Sequence, residues 1–231
     1  MKTIGLIGGM SWESSREYYR ILNEATHERL GGLHSSKCIL YSVDFDEIEH
    51  LQHRGNWDEL TSIMVGAAKS LERAGAELLV IGTNTMHRMA DEVQAEIQIP
   101  VLHIADATAE AVKKNSLQTV GLLGTKFTME QDFYKGRLST KHGLNVLVPD
   151  EADRDIVHRV IYGELCLGKI VQSSRAEFVR IINILIDRGA QGIVLGCTEI
   201  PLLISQSDVG VPVFDTTTIH ARFAVQAALK D

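Results

Sequence analysis

Cysteine is scarce in this chain: three residues in 231, at Cys38, Cys166 and Cys197, far apart from one another. That excludes a disulfide framework, and no Cys-x-x-Cys pair suggests a metal site. Basic charge is also short, with 23 Lys and Arg against 30 Asp and Glu and a formal net charge of −7. A general binder of nucleic acid or of an anionic membrane is therefore not expected. No apolar run approaches the ~20 residues needed to span a bilayer. The first apolar run follows a single lysine and is broken by Gly5, Gly8 and Gly9, so it lacks a signal-peptide plan. These absences lead us to expect a reduced, cytoplasmic, soluble globule. At 45% hydrophobic residues it can bury one large core or two small ones.

What the chain does have is a segment that joins a buried strand to chemistry, Gly192-Ile193-Val194-Leu195-Gly196-Cys197-Thr198-Glu199-Ile200-Pro201. The apolar, β-branched run reads as a strand of a parallel sheet and stops at a glycine. A thiol, a hydroxyl and a carboxylate follow, and Pro201 suits the first turn of a helix. In such sheets small molecules bind at the C-terminal ends of strands. A helix start there is expected to draw the thiol pKa down from about 8.5 and to attract a carboxylate. Taken alone, the same thiol also suits a buried structural position.

The segment has a partner. Ala74-Gly75-Ala76-Glu77-Leu78-Leu79-Val80-Ile81-Gly82-Thr83-Asn84-Thr85 parallels Arg188-Gly189-Ala190-Gln191-Gly192-Ile193-Val194-Leu195-Gly196-Cys197-Thr198-Glu199, so Thr83 aligns with Cys197, 114 positions on. Thr3-Ile4-Gly5-Leu6-Ile7-Gly8 echoes Thr119-Val120-Gly121-Leu122-Leu123-Gly124, and Ile99-Pro100-Val101 echoes Val211-Pro212-Val213. Three anchors in one order at a nearly constant offset point to duplication of one α/β unit.

The rest of the chain alternates strands and helices. Strands are expected near 3–8, 37–43, 119–123 and 144–148. Helices are expected from about Ser15, over 58–73, from Thr83 to about Ile97, from about Asp153, over 173–188 and over 218–229. The stretch 44–57 reads as a polar, solvated loop in which Gln52 and Arg54 could donate to a carboxylate. Thr125 and Thr128 suit helix caps, and Thr125 also suits a ligand carboxylate. Lys169 reads as a surface residue or a carboxylate clamp, and His87 as structural rather than a base. Such alternation implies an α/β fold: two pseudo-symmetric three-layer α/β/α domains, each with a mainly parallel sheet of about four strands. The equivalence of Val101 and Val213 suggests that the last strand and helix return to the first domain. The expected domains are 1–101 with 213–231, and 102–212, with Thr83 and Cys197 on opposite sides of a cleft between them. Two reactive groups so placed, without a phosphate loop or metal motif, suit proton transfer on both faces of one carbon.

The segments GLIGGMSWES, GTNTMH, LLGTKFTM and GCTEIP resemble the cofactor-independent aspartate/glutamate racemase family, and the resemblance covers nearly the whole chain. It implies two pseudo-symmetric α/β domains, a homodimer, an acidic amino acid as the small-molecule substrate, and no cofactor. It also implies a paired acid and base at the substrate Cα, one cysteine from each domain. Here the first of these positions departs from the family's usual Cys-Asn-Thr and reads Thr83-Asn84-Thr85. A hydroxyl is a far weaker acid than a thiol. Thr83 therefore suits proton donation, with its developing alkoxide stabilised by Asn84, Thr85 and backbone N–H groups, while Cys197 is the expected base.

The two directions of the reaction should then be unequal, and similarity to the family assigns the L form to the Cys197 side. The matching substrate-binding positions are Asn84, Thr85, Thr125 and Thr198, with Met10, Gln52 and Lys169. Glu199 is expected to meet the substrate ammonium, to hold the thiol, or simply to cap a helix. Two other readings stay open: an arylmalonate-type decarboxylase using one cysteine, and a non-catalytic binder of acidic amino acids.

Overall fold

The computed structural model describes residues 1–230. In chain order the elements of the first half are β1 (Ile4–Gly8), α1 (Trp12–Leu30), β2 (Cys38–Ser42), α2 (Phe45–Arg54), α3 (Trp57–Arg73), β3 (Leu78–Ile81), α4 (Ala90–Ala95) and β4 (Val101–Leu102). The second half has α5 (Ile104–Lys114), β5 (Thr119–Gly124), α6 (Lys126–Glu130), β6 (Asn145–Leu147), α7 (Glu151–Gly163), α8 (Gln172–Asp187), β7 (Ile193–Gly196), β8 (Val213–Asp215) and α9 (Thr216–Ala228). They form two four-stranded parallel sheets, ordered β2-β1-β3-β4 and β6-β5-β7-β8. The order is the same in both, as duplication requires. The described residues divide into two compact units, 1–103 with 220–230 and 104–219.

Period-two alternation decides which helix covers which sheet face. In the first sheet Ile4, Leu6, Leu78 and Val80 pack with α1 and α9, through Tyr18, Leu22, Ala221 and Val225. Ile7, Leu79 and Ile81 point the other way, onto α3 and Met86. In the second sheet Val120, Leu122, Val194 and Phe214 pack on α5, while Leu123, Ile193 and Leu195 pack on α7 and α8. Both faces of the central strands β1, β3, β5 and β7 are buried, which explains why these strands read as continuous apolar runs.

The domain boundary expected at residue 213 moves. Val213, Phe214 and Asp215 pair with Ile193, Val194 and Leu195, so the last strand belongs to the second sheet. Val101 pairs with Leu79 in the first sheet in the equivalent way. The helix after each of these strands is what changes unit. Helix α5 follows the first sheet but covers the second, and α9 from His220 onward covers the first. The crossovers are therefore 103/104 and 219/220. The motif alignment equated the strands correctly but placed the crossing one element too early.

The stretch 44–57 is also not a loop. Helix α2 starts at the Asp44 cap, whose side chain accepts from Asp46 N–H at 3.1 Å, and ends at Gly55 in a left-handed conformation (φ 70°). Phe45, Ile48 and Leu51 recur at helical spacing and pack against the core of the first unit. The surrounding His, Glu and Arg residues hide that stripe from a reading by composition.

Candidate active site

In a parallel sheet of this order the direction in which successive strands are added reverses between the first and third strands, and the C-terminal ends of those strands leave room for a ligand. Most candidate residues follow those ends, one set in each unit, while Gln52 lies on α2 and Lys169 follows the turn Leu165–Leu167. In the first, β1 runs into Gly9, Met10 and Ser11, and β3 runs into Thr83, Asn84 and Thr85. Gly9 has φ 90°, and a Cβ there would lie 2.2 Å from the Val43 carbonyl oxygen, so only glycine fits the turn. Ser11 caps α1, and the Ser15 hydroxyl accepts from Gly9 N–H at 2.7 Å. Met10, Asn84 and Thr85 are buried, and Thr83 is half-buried. Gln52 is buried too, with Nε2 donating to Met86 Sδ at 3.2 Å. It reaches inward from a helix, not outward from a loop.

The expected helix from Thr83 is a 3₁₀ turn, Thr85–Met89, followed by the short α4. His87 lies on that turn, and its Nδ1 donates to the Thr83 carbonyl at 2.7 Å. The acceptor is a carbonyl, so the proton sits on Nδ1. Burial, then the neighbouring His103 and His220, hold His87 well below the ordinary imidazole range.

In the second unit the ends of β5 and β7 carry Thr125 and Cys197. Gly196 allows the strands to close together, since a Cβ there would lie 2.8 Å from Leu122 Cδ1 and 2.9 Å from the Leu123 carbonyl. Thr125 is the cap of α6 and accepts from Thr128 N–H at 3.3 Å. Thr128, also expected as a cap, shares a 3.2 Å hydroxyl contact with Thr125.

Cys197 is 8% exposed, and its thiol donates to Glu199 Oε2 at 3.0 Å. The same oxygen accepts from the Thr198 hydroxyl at 2.7 Å. Lys169 stands exposed after the turn Leu165–Leu167, whose Cys166 packs against the cluster that contains Cys197.

The electrostatics correct one expectation. Burial, the Glu199 carboxylate and Cys166 together push the Cys197 thiol well above its ordinary value. The anticipated helix after the thiol is only a three-residue 3₁₀ turn, Ile200–Leu202. So short a turn carries little dipole, and a carboxylate two residues away outweighs it. Glu199 stands at the N-cap position of that turn but is buried and makes no side-chain cap bond; its carboxylate instead accepts from the thiol. Sequence reasoning missed the ring partners of His87, which are His103 and His220, and Tyr18, which bonds His220. They lie far apart in the chain and carried no local signal.

The fold and these strand ends define an α/β protein with two equivalent sheets, one ending in a hydroxyl and the other in a carboxylate-backed thiol. Residues 7–224 match the family described as Asp/Glu/Hydantoin racemase, and the chain belongs to that family. It is 55% identical to a candidate Asp/Glu racemase from Yersinia pestis, covering all of both chains with a TM-score of 0.93. It is 40% identical to an aspartate racemase homologue from Pyrococcus horikoshii OT3, again over all of both chains, with a TM-score of 0.85. A broad specificity amino-acid racemase from Bacillus subtilis is 22% identical over 172 residues, 74% of each protein. No described helix is long and apolar enough to cross a membrane.

Proposed function

We propose that this chain racemises an acidic amino acid, aspartate or glutamate, without a cofactor, using Cys197 and Thr83 on opposite faces of the substrate Cα. The observation that carries this reading is the 3.0 Å hydrogen bond from the Cys197 thiol to Glu199. A thiol held above its ordinary pKa needs an acceptor for its proton before it can act as a base, and the carboxylate supplies one.

In the L-to-D direction Glu199 takes the thiol proton, and the thiolate takes the Cα proton and becomes a thiol again. Thr83 then gives its hydroxyl proton to the other face of the carbanion. Exchange with solvent returns the proton to Thr83 and removes one from Glu199, so protons balance over the cycle. Backbone N–H groups beyond Thr83, with Asn84 and Thr85, stabilise the alkoxide as it forms. Met10, Gln52, Thr125, Thr198 and Lys169 complete the binding set in this reading. The protein acts as a cytoplasmic homodimer, and the L enantiomer is the one deprotonated by Cys197.

The test is incubation with each enantiomer of aspartate and glutamate in deuterated water, followed by chiral separation and mass measurement. Inversion with deuterium at Cα is expected, and Cys197→Ser should lose it by more than about tenfold, since a hydroxyl cannot replace a thiolate base. A protein that binds these amino acids without exchanging Cα–H, or that instead releases carbon dioxide from an arylmalonate, would end this reading.

A further inference from the structure

Three buried histidines of the first unit take no part in the proton transfers above, yet they gather directly behind the Thr83 strand end. The ladder from β3 to β1 closes with Gly82 N–H donating to the Ile7 carbonyl at 2.8 Å. One residue further on, the Thr83 carbonyl receives the 2.7 Å bond from His87 Nδ1. A side chain four residues on thus fixes the peptide that follows Thr83, and with it the direction in which the Thr83 side chain leaves the strand.

His87 is itself held in place. Its ring centroid is 4.6 Å from that of His103 and 5.6 Å from that of His220. Tyr18 O–H donates to His220 Nδ1 at 2.9 Å, and His220 Nε2–H donates to the Leu102 carbonyl at 2.7 Å. One neutral tautomer of His220 satisfies both bonds. The supports come from α1, from the end of β4 and from α9. His103 and His220 are also the residues at which the chain leaves and re-enters this unit.

We infer that His87 is a positioning residue for Thr83, holding the hydroxyl in register with the substrate through the Thr83 carbonyl while His103, His220 and Tyr18 brace its ring. The inference rests on the two-face reading and deepens it: His87 governs the Thr83 face of the reaction and not the Cys197 face. Misplacing a catalytic group by about 1 Å costs on the order of a hundredfold in rate. A histidine that only fills the core would affect both faces together.

The experiment compares His87→Leu, which keeps apolar bulk but removes the donor, with His87→Asn, whose amide nitrogen falls near the Nδ1 position. Racemisation of the L enantiomer and deuterium entry without inversion are measured side by side in deuterated water. His87→Leu should lose inversion by about tenfold to a hundredfold, while exchange on the Cys197 face stays within about threefold. His87→Asn should keep inversion within about threefold of wild type, and this arm decides the matter should the leucine variant not fold.

Inversion at the wild-type rate in His87→Leu, or loss of inversion and exchange in parallel, would overturn the positioning role, as would loss of inversion in His87→Asn. Thr83→Ala, run beside them, tells the two levels apart. If it inverts the substrate as wild type does, the two-face reading falls and takes the role of His87 with it. If it loses inversion while His87→Leu does not, only the role of His87 falls.

Discussion

The Cys197 thiol and the Glu199 carboxylate form a hydrogen-bonded pair two residues apart, with Sγ and Oε2 separated by 3.0 Å and both side chains buried. The pair has two opposed effects. Together with burial, the carboxylate's charge keeps the thiol protonated at rest, yet its oxygen is the place to which the proton can go.

Glu199→Gln separates those effects. Removing the charge takes away one of the causes that raise the thiol pKa, so the pH midpoint for alkylation of Cys197 by iodoacetamide should move down. Turnover should fall by about 10²–10⁴-fold, because the proton has lost its acceptor. Alkylation is best followed with Cys38 and Cys166 changed to alanine, variants expected to keep activity apart from any loss of packing. Unchanged turnover in Glu199→Gln would show that the carboxylate does not accept the proton.

Asp106 on α5 joins Arg137, Lys141 and His142 through four hydrogen bonds of 2.7 to 2.9 Å. Burial alone would raise its pKa, but those three partners more than offset it and hold the carboxyl well below its ordinary range. A carboxyl lowered on folding stabilises the protein above its unfolded pKa of about 3.9 and loses that effect as pH falls toward the folded value. Asp106→Asn should therefore cost roughly 1–3 kcal/mol at pH 7, read from urea midpoints. The gap to wild type should shrink below about pH 4. A gap that stays constant across that range would mean packing, not charge, is what the substitution removes.

Much of this was legible in the sequence, for reasons that mark its limits. The runs ending at Gly82 and Gly196 are buried on both faces, so their apolar content announces them, and duplication then equates Thr83 with Cys197. Helix α2 was hidden because its only apolar residues, Phe45, Ile48 and Leu51, stand among charged neighbours. The unit in which β8 lies depends on which strand it pairs with, and no local pattern reports that. The raised thiol pKa depends first on burial and then on where the Glu199 carboxylate lies, both of which are set by packing. Tyr18, His87, His103 and His220 meet only after three separate chain segments have packed together.

His220 gives the first unit its own response to acid. Burial holds this imidazole down to about 4, and Tyr18 and His87 pack against it. An unfolded histidine binds a proton at about pH 6.5, so the stabilisation is complete above that pH and is lost progressively as pH falls toward 4. The loss is about 1.4 kcal/mol per pH unit for one such group. His220→Gln keeps a donor for the Leu102 carbonyl but cannot take up the proton. Its stability, measured by denaturant titration, should depend less steeply on pH between 6.5 and 4 than that of wild type. Equal slopes would show that His220 titrates normally in the folded protein.

The last prediction concerns the inequality of the two faces, and the thermodynamics of the reaction constrain where it can appear. Enantiomers have the same free energy, so kcat/KM must be equal in the two directions whatever the groups are. The difference between a thiol and a hydroxyl must show instead in kcat and in exchange of Cα–H with solvent. With Cys197 facing the L form and Thr83 the D form, L substrate should exchange without inversion faster than D. Threonine is half-buried at this position and follows the glycine that closes β3, so cysteine can be accommodated there with little change in packing. Thr83→Cys should raise exchange of the D form and narrow the L-to-D exchange ratio by about tenfold or more, within the range that an acid–base group commands. A new thiol that leaves D exchange as slow as in wild type would mean that residue 83 does not meet the Cα proton of the D enantiomer, and the assignment of that face would have to pass to another group.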